Sequence, residues 1–405
     1  MRPPSIGQSG QLEQPALDQP QIQTDPNNLL QRLRQPQEPQ TAGFELARDV
    51  KQPISENKLH PVNSLDSSVY YSRTGNLVGL TSERQAQALA DTLRSIGPGK
   101  VLLIETAGPL GGSCVEELRR SLPQALKMVP ESERPEIRFF VSDGRPVLSN
   151  PNNPNTEYNQ FSDYLTGLNQ EKRGSGMVDR DTSLPNIDRG IPNWGNPKVV
   201  DYFIKERIDP TIALAKELGI KSIVVDDHIG VPPDKGDSKT TTNFKKANGL
   251  TAGRDTDDEF QNIITGAYGQ VFNKIKDAGL DAGLSVPDQV DGSKKNFGID
   301  VNKLAPLTDS IEIQAYRPTA DLVEKMTDNL FSNISKNFEQ YKNVEEIKVA
   351  LVTRASGVDL SEAELIKQQK VIDAFQEDIN TLYRARNIEP PNVGTSLWAH
   401  QNFYK

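Results

Sequence analysis

Short apolar, β-branched runs alternate with amphipathic stretches from residue 69 onward, and this alternation sets the expected fold. Strands are predicted at Asn76–Leu80, Lys100–Glu105, Glu136–Val141, Ser222–Asp226, Ala282–Val286, Ser310–Tyr316, Glu346–Thr353 and Val393–Trp398. Apolar residues at three- and four-residue spacing predict helices over Ser82–Ile96, Ser113–Leu126, Pro197–Leu218, Asp257–Ala278, Ala320–Asn343 and Ser361–Asn387. Eight strands in alternation with helices point to an α/β chain, a (β/α)8 TIM barrel. An open doubly wound sheet leaves strands over, and no strand is followed by Gly-x-Gly-x-x-Gly.

Residues 1–68 read differently. They are rich in Gln, Pro, Asn and Ser, as in Gln35-Pro-Gln-Glu-Pro-Gln40. Such a segment buries too little apolar surface to offset its ordering entropy, so a disordered tail is expected there, ahead of a domain spanning 69–405. The stretch between the third and fourth strands is turn-rich at Asn150–Thr156 and Gly174–Asp181. In a barrel, that loop would lie on the face where long βα loops shape a cleft.

Composition narrows the function classes. The net charge of −9 argues against a general nucleic-acid binder. A lone cysteine, Cys114, excludes an intramolecular disulfide and a cysteine-rich metal site. No apolar run approaches the roughly 18–20 residues needed to cross a bilayer. The first residues also lack the apolar core of a secretory signal. The expected location is therefore the cytoplasm, or outside the cell by a signal-independent route; the pattern leaves the oligomeric state open.

One stretch stands out chemically. Lys221-Ser-Ile-Val-Val-Asp-Asp-His-Ile-Gly-Val-Pro232 is an apolar strand that stops in two carboxylates and one of the chain's three histidines. Ligands of parallel α/β folds bind at the carboxyl ends of strands, and folding alone gives no reason to place adjacent like charges there. Alternation puts Val224, Asp226 and His228 on one side and Val225 and Asp227 on the other. Asp226 is therefore expected to point into the barrel mouth with the chemical role, and Asp227 to position it. The sixth strand, Ile311-Glu-Ile-Gln-Ala-Tyr-Arg-Pro318, would turn Glu312, Gln314 and Tyr316 inward, with Arg317 at the rim. Buried polar groups are costly unless hydrogen-bonded, so three in succession suggest a polar interior serving a site, although Glu312 lies deeper and reads as a structural acid. Other strand ends supply Glu105, Asp143 with Arg145, Asp288 with Gln289, Arg354, and Trp398 with His400. Trp194 and Trp398 could offer ring faces to sugars, and His228 could bond sugar hydroxyls.

Two further motifs compete for attention. Gly108-Pro-Leu-Gly-Gly-Ser113 before a helix could hold a phosphate on backbone N–H groups, but it lacks the Gly-Lys-Ser/Thr ending of a P-loop. No His-x-x-x-His or comparable ligand spacing supports a metal, so neither metal nor cofactor is expected.

The chain also resembles the bacterial glycosyl hydrolase-like 10 family, of the DUF187 type. The resemblance rests on Trp194-Gly-Asn-Pro197, the helix after it, Ile223-Val-Val-Asp-Asp-His-Ile-Gly-Val-Pro232, Ser285-Val-Pro-Asp288 and Gln314-Ala-Tyr-Arg317, in that order over about residues 190–405. It implies a TIM barrel related to the amylase-like glycosidases, with Asp226 as a catalytic carboxylate. By the same likeness the acid partner would be Asp288, at the end of the fifth strand, where amylase-like barrels carry a glutamate. Glu105 and Asp143 are the other candidates for that role. The chain departs from the family pattern at Gly195, at Ile229, at Pro210 within a helix, and in lacking a Gly-Val-Trp first strand. The implied activity is cleavage of a glycosidic bond in a polysaccharide or cell-envelope glycan. The alternative is a barrel that binds such glycans without cleaving them.

Overall fold

The computed structural model describes residues 69–72, 81–108, 112–142, 156–179, 190–227, 239–251, 257–287, 298–352, 354–355 and 358–398. Its strands are β1 (Val69–Ser72), β2 (Val101–Gly108), β3 (Gly112–Ser113), β4 (Glu136–Val141), β5 (Met177–Asp179), β6 (Gly190–Pro192), β7 (Ser222–Val225), β8 (Asp281–Pro287), β9 (Ser310–Gln314), β10 (Glu346–Val352), β11 (Arg354–Ala355), β12 (Val358–Asp359) and β13 (Asn392–Trp398). The main sheet runs β1-β13-β10-β9-β8-β7-β4-β2-β3. Every pairing in it is parallel except the short antiparallel β2–β3. The four-residue β1 is hydrogen-bonded to β13 on one side and to β2 on the other. The architecture is thus a curled parallel sheet flanked by helices, which agrees with the α/β expectation.

Most elements fall where periodicity placed them. The helix Ser82–Ile96 matches its expected span, with the Thr81 hydroxyl capping the Arg84 N–H at 3.4 Å. The first strand does not match. It lies at Val69–Ser72, whereas the expected Asn76–Leu80 falls outside the described residues. A four-residue strand carries too little period to be located by alternation.

The helix leading into β7 shows how sequence departures are absorbed. It runs as Pro197–Phe203, a π-turn at Ile204–Ile208, and Asp209–Leu218. Pro210 has no N–H to offer the Glu206 carbonyl. The Asp209 N–H instead bonds back five residues to Ile204, and the Glu206 carbonyl accepts from Arg207 Nη1 at 3.3 Å. Gly219, at φ 72°, then closes the helix in the left-handed region that favours glycine and turns the chain into β7.

Two shells of side chains sort the sheet. Ile223, Val225, Leu284, Ile311, Ile313, Ile347, Val349 and Leu351 pack outward with the helices. Val101, Leu103, Phe140, Val224, Ala350 and Val352 form a separate inner cluster on the concave face. Space there is tight: a Cβ on Gly283 would stand 2.6 Å from Ser310 Oγ and 2.8 Å from Val224 Cγ2. At the amino ends of the strands, Arg138 pairs with Glu136 at 2.7 Å and with Glu346, which also holds Lys348 at 3.2 Å. Burial alone would lower the Arg138 pKa, but the bonds and charges of Glu136 and Glu346 more than offset it and hold the guanidinium charged. Burial lowers the Lys348 pKa, which the Glu346 carboxylate only partly restores.

Candidate functional site

The carboxyl ends of β7, β8, β9, β2 and β4 bring the inward-facing polar side chains together. Asp226 follows β7 directly, and its N–H continues the ladder to the Val141 carbonyl at 3.0 Å. Its side chain is 4 % exposed. Gln314 Nε2, two strands away at the end of β9, donates to Asp226 Oδ1 at 2.8 Å. Val224 belongs to the inner cluster and Val225 to the outer shell, so strand parity turns Asp226 inward as alternation predicts. From outside the sheet, the fully buried Tyr268 donates its hydroxyl to the Asp226 backbone carbonyl at 2.8 Å. The carboxylate is therefore fixed at both its backbone and its side chain. Asp227 is also buried, at 8 % exposure.

Between β7 and β9 lies Ser285 of β8, fully buried. It accepts from Gln314 Nε2 at 3.1 Å and donates to Glu312 Oε1 at 2.9 Å. Glu312 is buried, as its place in the strand predicts, and accepts from a serine hydroxyl. On the other side of Asp226, Glu105 of β2 is buried and accepts from Ser142 Oγ, just beyond β4, at 2.7 Å. Sequence reading missed Ser285 and Ser142. Their signal was faint: a single small hydroxyl at an inward position, between Leu284 and Val286 in one case and between Val141 and Asp143 in the other.

The remaining candidates divide three ways. Tyr316, half-buried, packs on the inner apolar cluster. Arg317 follows a tight turn to the Ala315 carbonyl, and its own carbonyl accepts from Gln368 Nε2 at 3.0 Å. Trp398 ends β13 opposite Val352. His228, Asp143, Asp288 and His400 lie outside the described residues.

Trp194 requires a correction. It is 2 % exposed and sits in the outer core, edge-on to Phe203 at 5.3 Å, so its ring faces are covered and offer no sugar platform. The Trp-Gly-Asn-Pro element instead builds a helix entrance. Asn196 caps the Lys198 N–H at 3.1 Å, and Asn193 Oδ1 accepts from the Gly195 N–H and from Asn248 Nδ2. A Cβ at position 195 would meet Asn248 Oδ1 at 1.9 Å, which explains glycine there. The glycine-rich segment after Thr106 also changes meaning. Ala107 and Gly108 pair antiparallel with Ser113 and Gly112, making a hairpin that extends β2 before the helix Val115–Met128.

Among the described residues, no group of three or more His, Cys, Asp and Glu is arranged to hold a metal ion. Nor is any described helix long and apolar enough to cross a membrane.

No protein-family model matches the chain, and no curated protein matches it. The resemblance to the glycosyl hydrolase-like 10 family is therefore one of motifs alone. A solved structure shares the fold. The PgaB (BpsB) glycoside hydrolase domain from Bordetella bronchiseptica superposes with a TM-score of 0.51 at 10 % identity, over 83 % of this chain and 94 % of that one. A cycloalternan-degrading enzyme from Trueperella pyogenes gives 0.36 at 11 % identity, over 82 % of this chain and 43 % of the other. At 10 % identity the likeness to the PgaB (BpsB) glycoside hydrolase domain is one of fold alone.

Proposed function

We propose that this protein is a glycoside hydrolase of the glycosyl hydrolase-like 10 kind, cleaving a glycosidic bond in a polysaccharide or cell-envelope glycan. The scaffold in this reading is a (β/α)8 barrel, supported by β1 pairing with both β13 and β2. One observation carries the chemistry: a buried carboxylate, Asp226, at the carboxyl end of an inner strand, held by a neutral amide. An amide that donates to a carboxylate oxygen fixes the direction in which the carboxylate points.

Asp226 acts as nucleophile or base, and Asp227 orients it. Asp288, just beyond the end of β8, supplies the proton to the leaving oxygen. Glycosidases set the two carboxyl groups about 5–5.5 Å apart for retention and about 6.5–9.5 Å for inversion. Glu105, Asp143, His228, Gln314, Tyr316, Arg317, Trp398 and His400 bind the substrate around them. Incubating the purified full chain with a panel of glycans, including peptidoglycan strands, and assaying new reducing ends tests the proposal. Release of ends that stops in Asp226→Asn supports it. The second reading, a glycan binder, is favoured by the aspartate at position 288 where amylase-like barrels carry the longer glutamate. Binding without new reducing ends would select it.

A further inference from the structure

We propose that Ser285 and Glu312 are positioning residues for Asp226, acting through Gln314 as a one-directional chain of hydrogen bonds that holds the Asp226 carboxylate fixed and charged. This rests on the glycosidase reading only in taking Asp226 as the reacting group.

The direction of the chain follows from donor and acceptor counts. Ser285 Oγ donates to Glu312 Oε1 at 2.9 Å, and Gln314 Nε2 donates to Ser285 Oγ at 3.1 Å and to Asp226 Oδ1 at 2.8 Å. An ionised carboxylate only accepts, and a hydroxyl has one proton. With Glu312 ionised, the Ser285 proton is committed to it, so the Ser285 oxygen is left to accept. Gln314 must then present its nitrogen, whose two protons go to Ser285 and Asp226. Reversing the amide would set its carbonyl oxygen against the Asp226 carboxylate.

The donors therefore run in one order, from Gln314 to Asp226 and to Ser285, and from Ser285 to Glu312, so each member fixes the orientation of the next. All the parts are locked in place. Ser285 and Glu312 are cross-strand partners, as are Glu312 and Lys348, so an ammonium stands beside the remote acid. Ser285, Glu312 and Asp226 are all buried, which strengthens each bond and penalises any loss. Nothing about folding requires a serine and a glutamine between two acids. A core of the same shape could be apolar.

Other ionisable groups face the same region. They are Asp227, Glu105, Tyr268 and Tyr316 around Asp226, and Lys348, Glu346 and Arg138 around Glu312.

The test is a titration of the full-length protein carrying carboxyl-13C aspartate, with the Asp226 resonance identified by its loss in Asp226→Asn. In Ser285→Ala, which removes the acceptor that fixes the Gln314 nitrogen, the Asp226 midpoint is expected to rise by about one pH unit relative to the parent protein. Glu312→Gln keeps an oxygen for the Ser285 proton and removes a like charge, so it is expected to leave the midpoint unchanged or lower it. An unchanged or lowered midpoint in a folded Ser285→Ala overturns the proposal, as does a raised one in Glu312→Gln. Should Ser285→Ala fail to fold, Ser285→Gly decides: a raised midpoint supports the chain and any other overturns it. The readout needs no turnover. A shifted midpoint in a protein that cleaves no glycan keeps the chain and discards the hydrolase, while an active hydrolase with an indifferent midpoint does the reverse.

Discussion

Gln314 reaches across the full width of β8 to donate its side-chain amide to Asp226 at 2.8 Å. The two residues are 88 positions apart in the chain. That one bond ties the end of β9 to the end of β7 and gives the Asp226–Asp227 pair an asymmetric setting. Asp226 turns inward and is held by an amide, while Asp227, also buried, follows it.

The asymmetry is expected to appear in catalysis. Asp226→Asn is nearly isosteric and should fold, while losing activity on glycan by about a thousandfold or more. Asp227→Asn should be milder. Reducing-end assays with circular dichroism on both variants check this. If Asp227→Asn abolishes turnover and Asp226→Asn does not, the roles are exchanged.

Lys348 should make stability depend on pH at the alkaline end. Burial lowers its folded-state pKa below the ordinary 10.5. Between that lowered value and 10.5 the unfolded chain binds more protons than the folded one, so this group makes stability rise with pH across that window. In Lys348→Met the contribution disappears. Urea unfolding of both proteins at successive pH values up to about 10.5 should show the difference between them narrowing or widening in that window, with a steeper rise in the parent.

Gly195→Ala should destabilise the entrance to the helix at Pro197. The added carbon would collide with Asn248, whose amide is held by Asn193 and by the Phe244 carbonyl at 2.9 Å. A loss of about 1–3 kcal/mol is expected, as for other overpacked sites. Adding Asn248→Ala should restore part of it, and a double-mutant cycle by chemical denaturation measures the coupling. Strictly additive losses would show that the clash is relieved elsewhere.

Residues 1–68 are proposed to be dispensable for folding, since their composition supplies few apolar groups. A chain beginning at residue 69 should melt within a few degrees of the full chain. A larger fall would make that segment part of the fold.

Local pattern was enough to locate most of the scaffold. Apolar periodicity placed Ser82–Ile96, Pro197–Leu218 and β7, because a helix or strand that buries one face must repeat apolar residues at its own period. Alternation also gave the inward direction of Asp226, since parity along a strand is a local property. What lies across from an inward residue is not local. The Arg138–Glu346 pair joins residues 208 apart, and the Ser285–Glu312 bond joins residues 27 apart on neighbouring strands. These depend on strand order and register, which only the assembly of the sheet decides. The burial of Trp194 is of the same kind: its ring lies against Phe203 because the helix folds back over the strand entrance, and no periodicity records that. By itself the sequence determined which residues face inward; the tertiary structure decided which of them meet, because hydrogen bonds between strands are set by register and not by spacing along the chain.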